Sequence, residues 1–241
     1  MQTHVYHITY SPEVETAYLF FWGCNMHCRG CIRLLHGWDS HLPDPGQPKT
    51  EIQPRLLAMD EVLNVLAPHP IRRIFFLGDD PSVDPVLEPL AQALKDRFRA
   101  EHVLLTNGLL LPPYRLFDEI QVSIKAVTPE LHRDFTGVDV APALDHFRHL
   151  YEAGIRLRSE SIVIPGYIDA VEIERVAKFI ASVDPDIPYR LDAYIPVPGT
   201  PWRRPTRDEM TEAMAAARRH LRHVHMLHAR TSQRHQVVRL V

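Results

Sequence analysis

Residues 17–31, AYLFFWGCNMHCRGC, run from a short aromatic and apolar stretch straight into a loop that holds all three cysteines of the chain, Cys24, Cys28 and Cys31. A run of that length and character predicts a buried β-strand over 17–21. Five further runs match it: RRIFFL (72–77), HVLLT (102–106), EIQVSIK (119–125), RLRSESIVI (156–164) and YRLDAYI (189–195). Around them the apolar period lengthens to that of amphipathic helices, at 59–67, 86–98, 141–153, 170–183 and 206–221. Gly154 suits a helix end, because glycine tolerates the left-handed conformation found there. Asp60 or Thr206 can begin a helix by accepting a free backbone N–H.

Strands that alternate with helices predict a parallel sheet, since consecutive parallel strands need a long crossover and a helix supplies it. Six such units fall short of the eight that close a full barrel. The expected fold class is therefore α/β, a partial (β/α)6 TIM-like barrel or a strongly curved open sheet. In either form the loops leaving the C-terminal strand ends converge on one site. That gathers the cysteine loop, GDDP (78–81), TNG (106–108), SIKA (123–126), IPGY (164–167) and YIPVPG (194–199). The main irregular insertion is 37–54, whose prolines at 43, 45, 48 and 54 predict a loop lying over the strand ends.

Composition excludes several classes. The 241 residues are 45% hydrophobic and 24% charged, ordinary for a folded chain with a sizeable core. No apolar run approaches a membrane span and no secretory leader is evident at the N-terminus, so a cytoplasmic protein is expected, without a membrane partner. A formal charge of -3 gives no electrostatic reason to expect nucleic-acid binding.

Three clustered thiols fit a disulfide framework poorly, in number and in compartment. Zinc is a better reading, with Cys28-x-x-Cys31 as a half-site and Cys24 plus His27 or His36 completing four ligands. A [4Fe-4S] cluster held by three thiolates is another, and it leaves one iron open to a non-protein ligand. Simple burial as small apolar residues is the plain alternative.

The order Cys24-x3-Cys28-x2-Cys31, on the loop after an apolar strand, resembles the cluster motif of radical S-adenosylmethionine (SAM) enzymes. The preceding LFFWGC resembles the small activating enzymes of glycyl-radical proteins, of the pyruvate formate-lyase activase type. The resemblance runs from about residue 16 to 200, within a single domain over 1–241 whose C-terminal extension is about 201–241. It implies that SAM binds the open iron of the [4Fe-4S] cluster and that one electron cleaves it to a 5'-deoxyadenosyl radical. That radical then takes a hydrogen atom from the substrate. A separate flavodoxin or ferredoxin is implied as electron donor, and a protein substrate is one implied partner.

Motif by motif, the resemblance implies SAM-site roles for Gly78, Asp79 and Asp80, which stand where the family has Gly-Gly-Glu. It implies further roles for Asn107 in TNG and for Ser123 and Lys125 in SIKA. Glu160 stands where activases carry an arginine, a charge reversal. Gly30 replaces an aromatic residue that packs on adenine, so that surface must come from elsewhere, with Ile32 and the backbone as candidates. Asp192 and Tyr194 replace a histidine segment. These departures mark a divergent member and leave three readings: an activase acting on glycine of a partner protein, a radical SAM enzyme modifying a small molecule or another side chain, and a non-catalytic zinc module. His223, His225 and His228 read as polar decoration of a terminal strand or helix. Trp202, Arg203 and Arg204 read as a partner or anion contact beyond the sixth strand.

Overall fold

The computed structural model describes residues 1–227 and 235–241. Its centre is one nine-stranded sheet. Six parallel strands follow the expected runs: β2 (Thr16–Phe21), β3 (Arg73–Gly78), β4 (Glu101–Thr106), β5 (Glu119–Ser123), β6 (Arg156–Val163) and β7 (Tyr189–Ala193). At one edge β8 (Val224–Leu227) continues the parallel order beside β7. At the other, β1 (Val5–Ser11) runs antiparallel to β2, and β9 (Val238–Arg239) antiparallel to β1. β8 and β9 stand at opposite ends of the strand order, so the sheet is open rather than a closed barrel.

The helices are α1 (Met59–Leu66), α2 (Leu87–Phe98), α3 (Pro129–Thr136), α4 (Ala141–Glu152), α5 (Ala170–Val183) and α6 (Arg207–Arg218). Thr206 caps α6, accepting the Glu209 N–H at 3.2 Å while Glu209 accepts the Thr206 N–H at 2.7 Å. Gly154 takes the left-handed conformation, with φ of 78°. Asp60 is not the start of α1; Ala58 is, and the Glu61 carboxylate accepts its N–H at 2.7 Å.

Side chains alternate across the strands with period two. Ala17, Leu19, Phe21, Ile74, Phe76 and Leu104 are buried in the helix-side core with Leu90, Leu94 and Phe147. Each fully buried large side chain there contributes about 1.5–3 kcal/mol. The intervening residues, Tyr18, Phe20, Phe75, Leu77, Leu105 and Arg190, line a cavity on the opposite face. Three elements, β1, β9 and α3, went unforeseen. In VYHITYS, the sequence of β1, polar residues interrupt the apolar run, although all seven residues are buried. α3 is one short amphipathic stretch between Pro129 and the left-handed Gly137.

Candidate active site

The cysteine loop is pinned from three sides by hydrogen bonds to its backbone. From the N-terminal side, the Trp22 N–H donates to His4 O at 2.9 Å. From the end of β3, the Asp79 carboxylate accepts the Gly23 N–H at 2.8 Å, and the Asp80 N–H donates to Gly23 O at 3.0 Å. From α3, the terminal carbonyls of Thr136 and Phe135 accept the N–H groups of His27 (2.8 Å) and Arg29 (2.9 Å). The carbonyls a helix leaves unpaired at its C-terminus are thus satisfied by the loop it supports.

Cys24 is exposed, and Cys28 and Cys31 are half-buried. Burial raises all three thiol pKa values, Cys28 to about 12, while Lys125 counteracts this at Cys28 and Cys31. The Cys24 sulfur receives the Met26 N–H at 3.4 Å and the Asn107 amide at 3.6 Å. Among the described residues, no three His, Cys, Asp or Glu side chains converge closely enough to hold a single metal ion.

Gly78 ends β3 with φ of 113°, and a Cβ there would lie 2.8 Å from the backbone of Phe21. Only glycine lets the two strand ends approach so closely. The Asp79 side chain is 3% exposed and accepts from Lys49, with the Arg33 Nε at 3.6 Å. Lys49 also lies over the Trp22 ring at 4.5 Å. The insertion therefore does lie over the strand ends, folded back through Gly37 N–H to Gln47 O (2.7 Å) and Trp38 N–H to Pro45 O (3.0 Å).

Asp80 is fully buried. Its carboxylate accepts the N–H groups of Ser82 (2.9 Å) and Asn107 (2.7 Å) and the Thr106 hydroxyl (3.1 Å). Burial raises its pKa against these bonds. The carboxylate to which the resemblance gives a SAM-site role is directed at the protein's own chain, where it fixes the β3 and β4 loops to each other. Asn107 lies against the cysteine loop, its amide donating to Asn25 Oδ1 at 2.6 Å. Nothing in the sequence singled out Asn25.

Ser123 and Glu160 are register partners, as are Glu160 and Arg190. Glu160 accepts from Ser123, Gln121 and Arg190, and Arg190 also meets Asp192 at 2.9 and 3.0 Å. Burial opposes ionisation of Glu160, but Arg190, Lys125 and the two hydrogen bonds outweigh it and hold its pKa below the ordinary range. Burial and the charge of Glu160 push Asp192 upward, against Arg190. Arg190 and Gln121 escaped the sequence reading. The available signal was the two charges at alternate positions of RLD, unusual in a strand of a parallel sheet.

At Gly30, an added Cβ would lie 2.9 Å from the Tyr194 ring, 3.2 Å from Phe135 and 3.4 Å from Trp202. Aromatic rings from three other segments therefore crowd this position. Trp202 stacks on Tyr167 at 4.5 Å and has Arg29 over its face at 4.9 Å, while Arg203 pairs with Glu209. His223 directly precedes β8, His225 lies within it, and His228 lies outside the described residues.

An open β/α sheet whose first parallel crossover begins with a pinned loop of three thiols defines a class of partial-barrel proteins with a sulfur-rich site at the strand ends. Residues 18–180 match the model of the Radical SAM superfamily, and the chain belongs to that superfamily. A Methanocaldococcus jannaschii protein, provisionally named a glycyl-radical enzyme activating enzyme, is 26% identical over 196 residues, 78% of this chain and 70% of that protein. A domain of pyruvate-formate lyase-activating enzyme from Bacteroides vulgatus superposes with a TM-score of 0.50 at 18% identity, covering 58% of this chain and 91% of that one. QueE from Escherichia coli gives 0.60 at 15% identity over 94% of both chains. A radical SAM methyltransferase from Sphaerobacter thermophilus gives 0.63 at 18% identity, over 92% of this chain and 69% of the other. These three structures share the fold.

Proposed function

We propose that this chain is a radical SAM enzyme that abstracts a hydrogen atom from its substrate, with Cys24, Cys28 and Cys31 holding a [4Fe-4S] cluster. One observation carries the reading. Three thiols share a single pinned loop at the C-terminal end of the first parallel strand, within residues 18–180 that match the Radical SAM superfamily. Three thiolates so placed can each take a different iron of a cluster and leave the fourth open. When bound together, cluster and SAM supply a 5'-deoxyadenosyl radical once an electron arrives from a flavodoxin or ferredoxin.

The residues of the chain prepare the site. Met26 and Asn107 donate N–H groups to the sulfur of Cys24, which stabilises a thiolate. Gly78, Asp79 and Asp80 form the neighbouring SAM-binding turn, with Asp80 acting through the loop it shapes. Lys125, which has no ion-pair partner among the described residues, is the cation available for the SAM carboxylate. Ser123 and Glu160 complete the wall beyond it.

Similarity to the M. jannaschii protein supports glycine of a partner protein as substrate. The cavity beside the cysteine loop supports a small molecule instead. Anaerobic reconstitution with iron and sulfide should give a brown protein that forms 5'-deoxyadenosine from SAM and dithionite. Cys→Ser at position 24, 28 or 31 should abolish both properties. A colourless protein retaining one zinc and leaving SAM intact would falsify the proposal. A glycine-centred electron paramagnetic resonance signal on a co-purified partner would assign the activase role.

A further inference from the structure

The face of the sheet away from the helices borders a cavity of about 540 Å³, extending from Gly78 and Ile32, beside the cysteine loop, to Arg190 on β7. That volume is in the range of small-molecule pockets. Its two ends differ in chemistry. Tyr18 and Phe75 are register partners on β2 and β3, and their rings stack at 5.2 Å and 12°. Both are only half-buried, so this end presents uncovered aromatic surface inside a concavity.

At the other end stands Arg190. Glu160 and Asp192 take its Nη2 and Nε, and Nη1 has no partner among the described residues. Neither carboxylate lines the cavity. They fix the plane of the guanidinium and leave donors that the protein itself does not use, which lowers the entropy cost of binding an anion. His41, from the 37–54 insertion, also lines the cavity and lies close enough to Arg190 to feel its charge. Arg33 and Arg190 face Asp39 as the single lining carboxylate. Asp39 is already engaged by the Thr9 hydroxyl at 2.8 Å and by the His41 ring at 2.8 Å. Arg33 already faces Asp79 at 3.6 Å and Arg190 already meets Glu160 and Asp192, so what the cavity offers an anion is the unused Nη1 donor of an oriented guanidinium, not an excess of positive charge.

We infer that this cavity binds the substrate, and that the substrate is a small planar organic anion of the aryl- or heteroaryl-carboxylate class. Its ring lies along Tyr18 and Phe75, and its carboxylate meets Arg190 and His41. The word substrate rests on the radical SAM reading; the binding needs neither cluster nor SAM. A backbone glycine of a partner protein brings neither ring nor anion, so the cavity favours small-molecule chemistry over glycine activation.

Isothermal titration of the full chain with benzoate, 2-naphthoate and quinoline-2-carboxylate, each beside its primary amide, tests the inference. At least one carboxylate should bind about tenfold or more tightly than its amide, the preference expected of a charge-assisted hydrogen bond. Arg190→Gln should erase the preference, and Tyr18→Leu should weaken acid and amide alike. Because Arg190→Gln leaves Glu160 short of its cation and can unfold the chain, His41→Gln serves as a second variant, expected to lower carboxylate affinity about threefold. The inference is overturned if the native protein prefers no carboxylate, or if natively folded Arg190→Gln and His41→Gln proteins keep the preference. Deoxyadenosine formation is measured separately. A protein that cleaves SAM but prefers no carboxylate overturns only the cavity inference; one that binds carboxylates but never yields deoxyadenosine overturns only the radical reading.

Discussion

Asp79 and Glu160 are both nearly buried carboxylates held by basic side chains, yet the structures that hold them are of opposite kinds. Glu160 sits on a strand, and Ser123 and Arg190 are its register partners on the two adjoining strands. The position of each is fixed by the ladder of the sheet, so the charge network is as rigid as the sheet itself. Asp79 sits just past a strand end, and its cations, Lys49 and Arg33, come from the insertion and from the segment after the cysteines. Similar chemistry thus makes a rigid rung in one half of the sheet and a removable latch in the other. Cutting a rung should cost global stability, whereas opening a latch should release a segment.

The largest effect is expected from Arg190→Ala. It strips Glu160 of its ion pair and leaves Asp192 without its cation, and breaking one side of a buried pair is expensive because the remaining charge stays desolvated. Arg190 is 35% exposed, which moderates the loss. We expect about 3 kcal/mol, at the low end for buried pairs, and a melting temperature lower by on the order of 10 °C. Unchanged thermal unfolding would remove the distinction between rung and latch.

Glu160→Gln should cost less, about 1–2 kcal/mol, since an amide oxygen still accepts from Ser123 or Gln121 and Arg190 keeps Asp192. Its signature is in pH. The Glu160 pKa is depressed in the folded chain, so its contribution is present above the unfolded value, near 4.3, and is lost as pH falls through the lower folded value. The stability gap between native and Glu160→Gln proteins should therefore be full at neutral pH and should close in acid. Urea melts from pH 7 to 3 measure it, and a gap that widens in acid would contradict the assignment.

This contrast also marks what the sequence could reveal. Each of the six parallel strands was legible because apolar and β-branched runs declare themselves locally, and Thr206 and Gly154 because caps are local chemistry. The cysteine loop was legible for the same reason, with three thiols inside eight residues. β1 and α3 were not, because histidine and threonine broke the run of one and the other is only eight residues long. Arg190 lies thirty residues from Glu160 and meets it only through strand register. The role of Asp80 was hidden differently. GDDP reads equally well as a ligand loop or a turn, and only the arrival of Thr106 and Asn107 from β4 commits its carboxylate to the turn. Gly30 looked like a missing aromatic, whereas Tyr194, Phe135 and Trp202 already fill the space around it.

The smallest effect on stability, and the sharpest test of the latch, belongs to Lys49→Ala. Lys49 loses one ion pair and one ring contact, at 24% side-chain exposure, and the cost should be about 1 kcal/mol. Asp79 retains the Gly23 N–H and the nearby Arg33, so the cysteine loop itself should hold. What changes is the part of 37–54 beyond Asp39, because Gly37, Trp38 and Asp39 stay anchored by the Tyr6 hydroxyl, Arg33 and the Thr9 hydroxyl. Proteolytic cleavage within that segment should accelerate several-fold while the melting temperature falls by only a few degrees. Arg190→Ala should do the reverse, lowering the melting temperature while, under conditions where both proteins stay folded, leaving cleavage within 37–54 near the native rate. Equal acceleration in both variants would mean that insertion and sheet open as one unit, and that Asp79 is another rung of the same rigid structure.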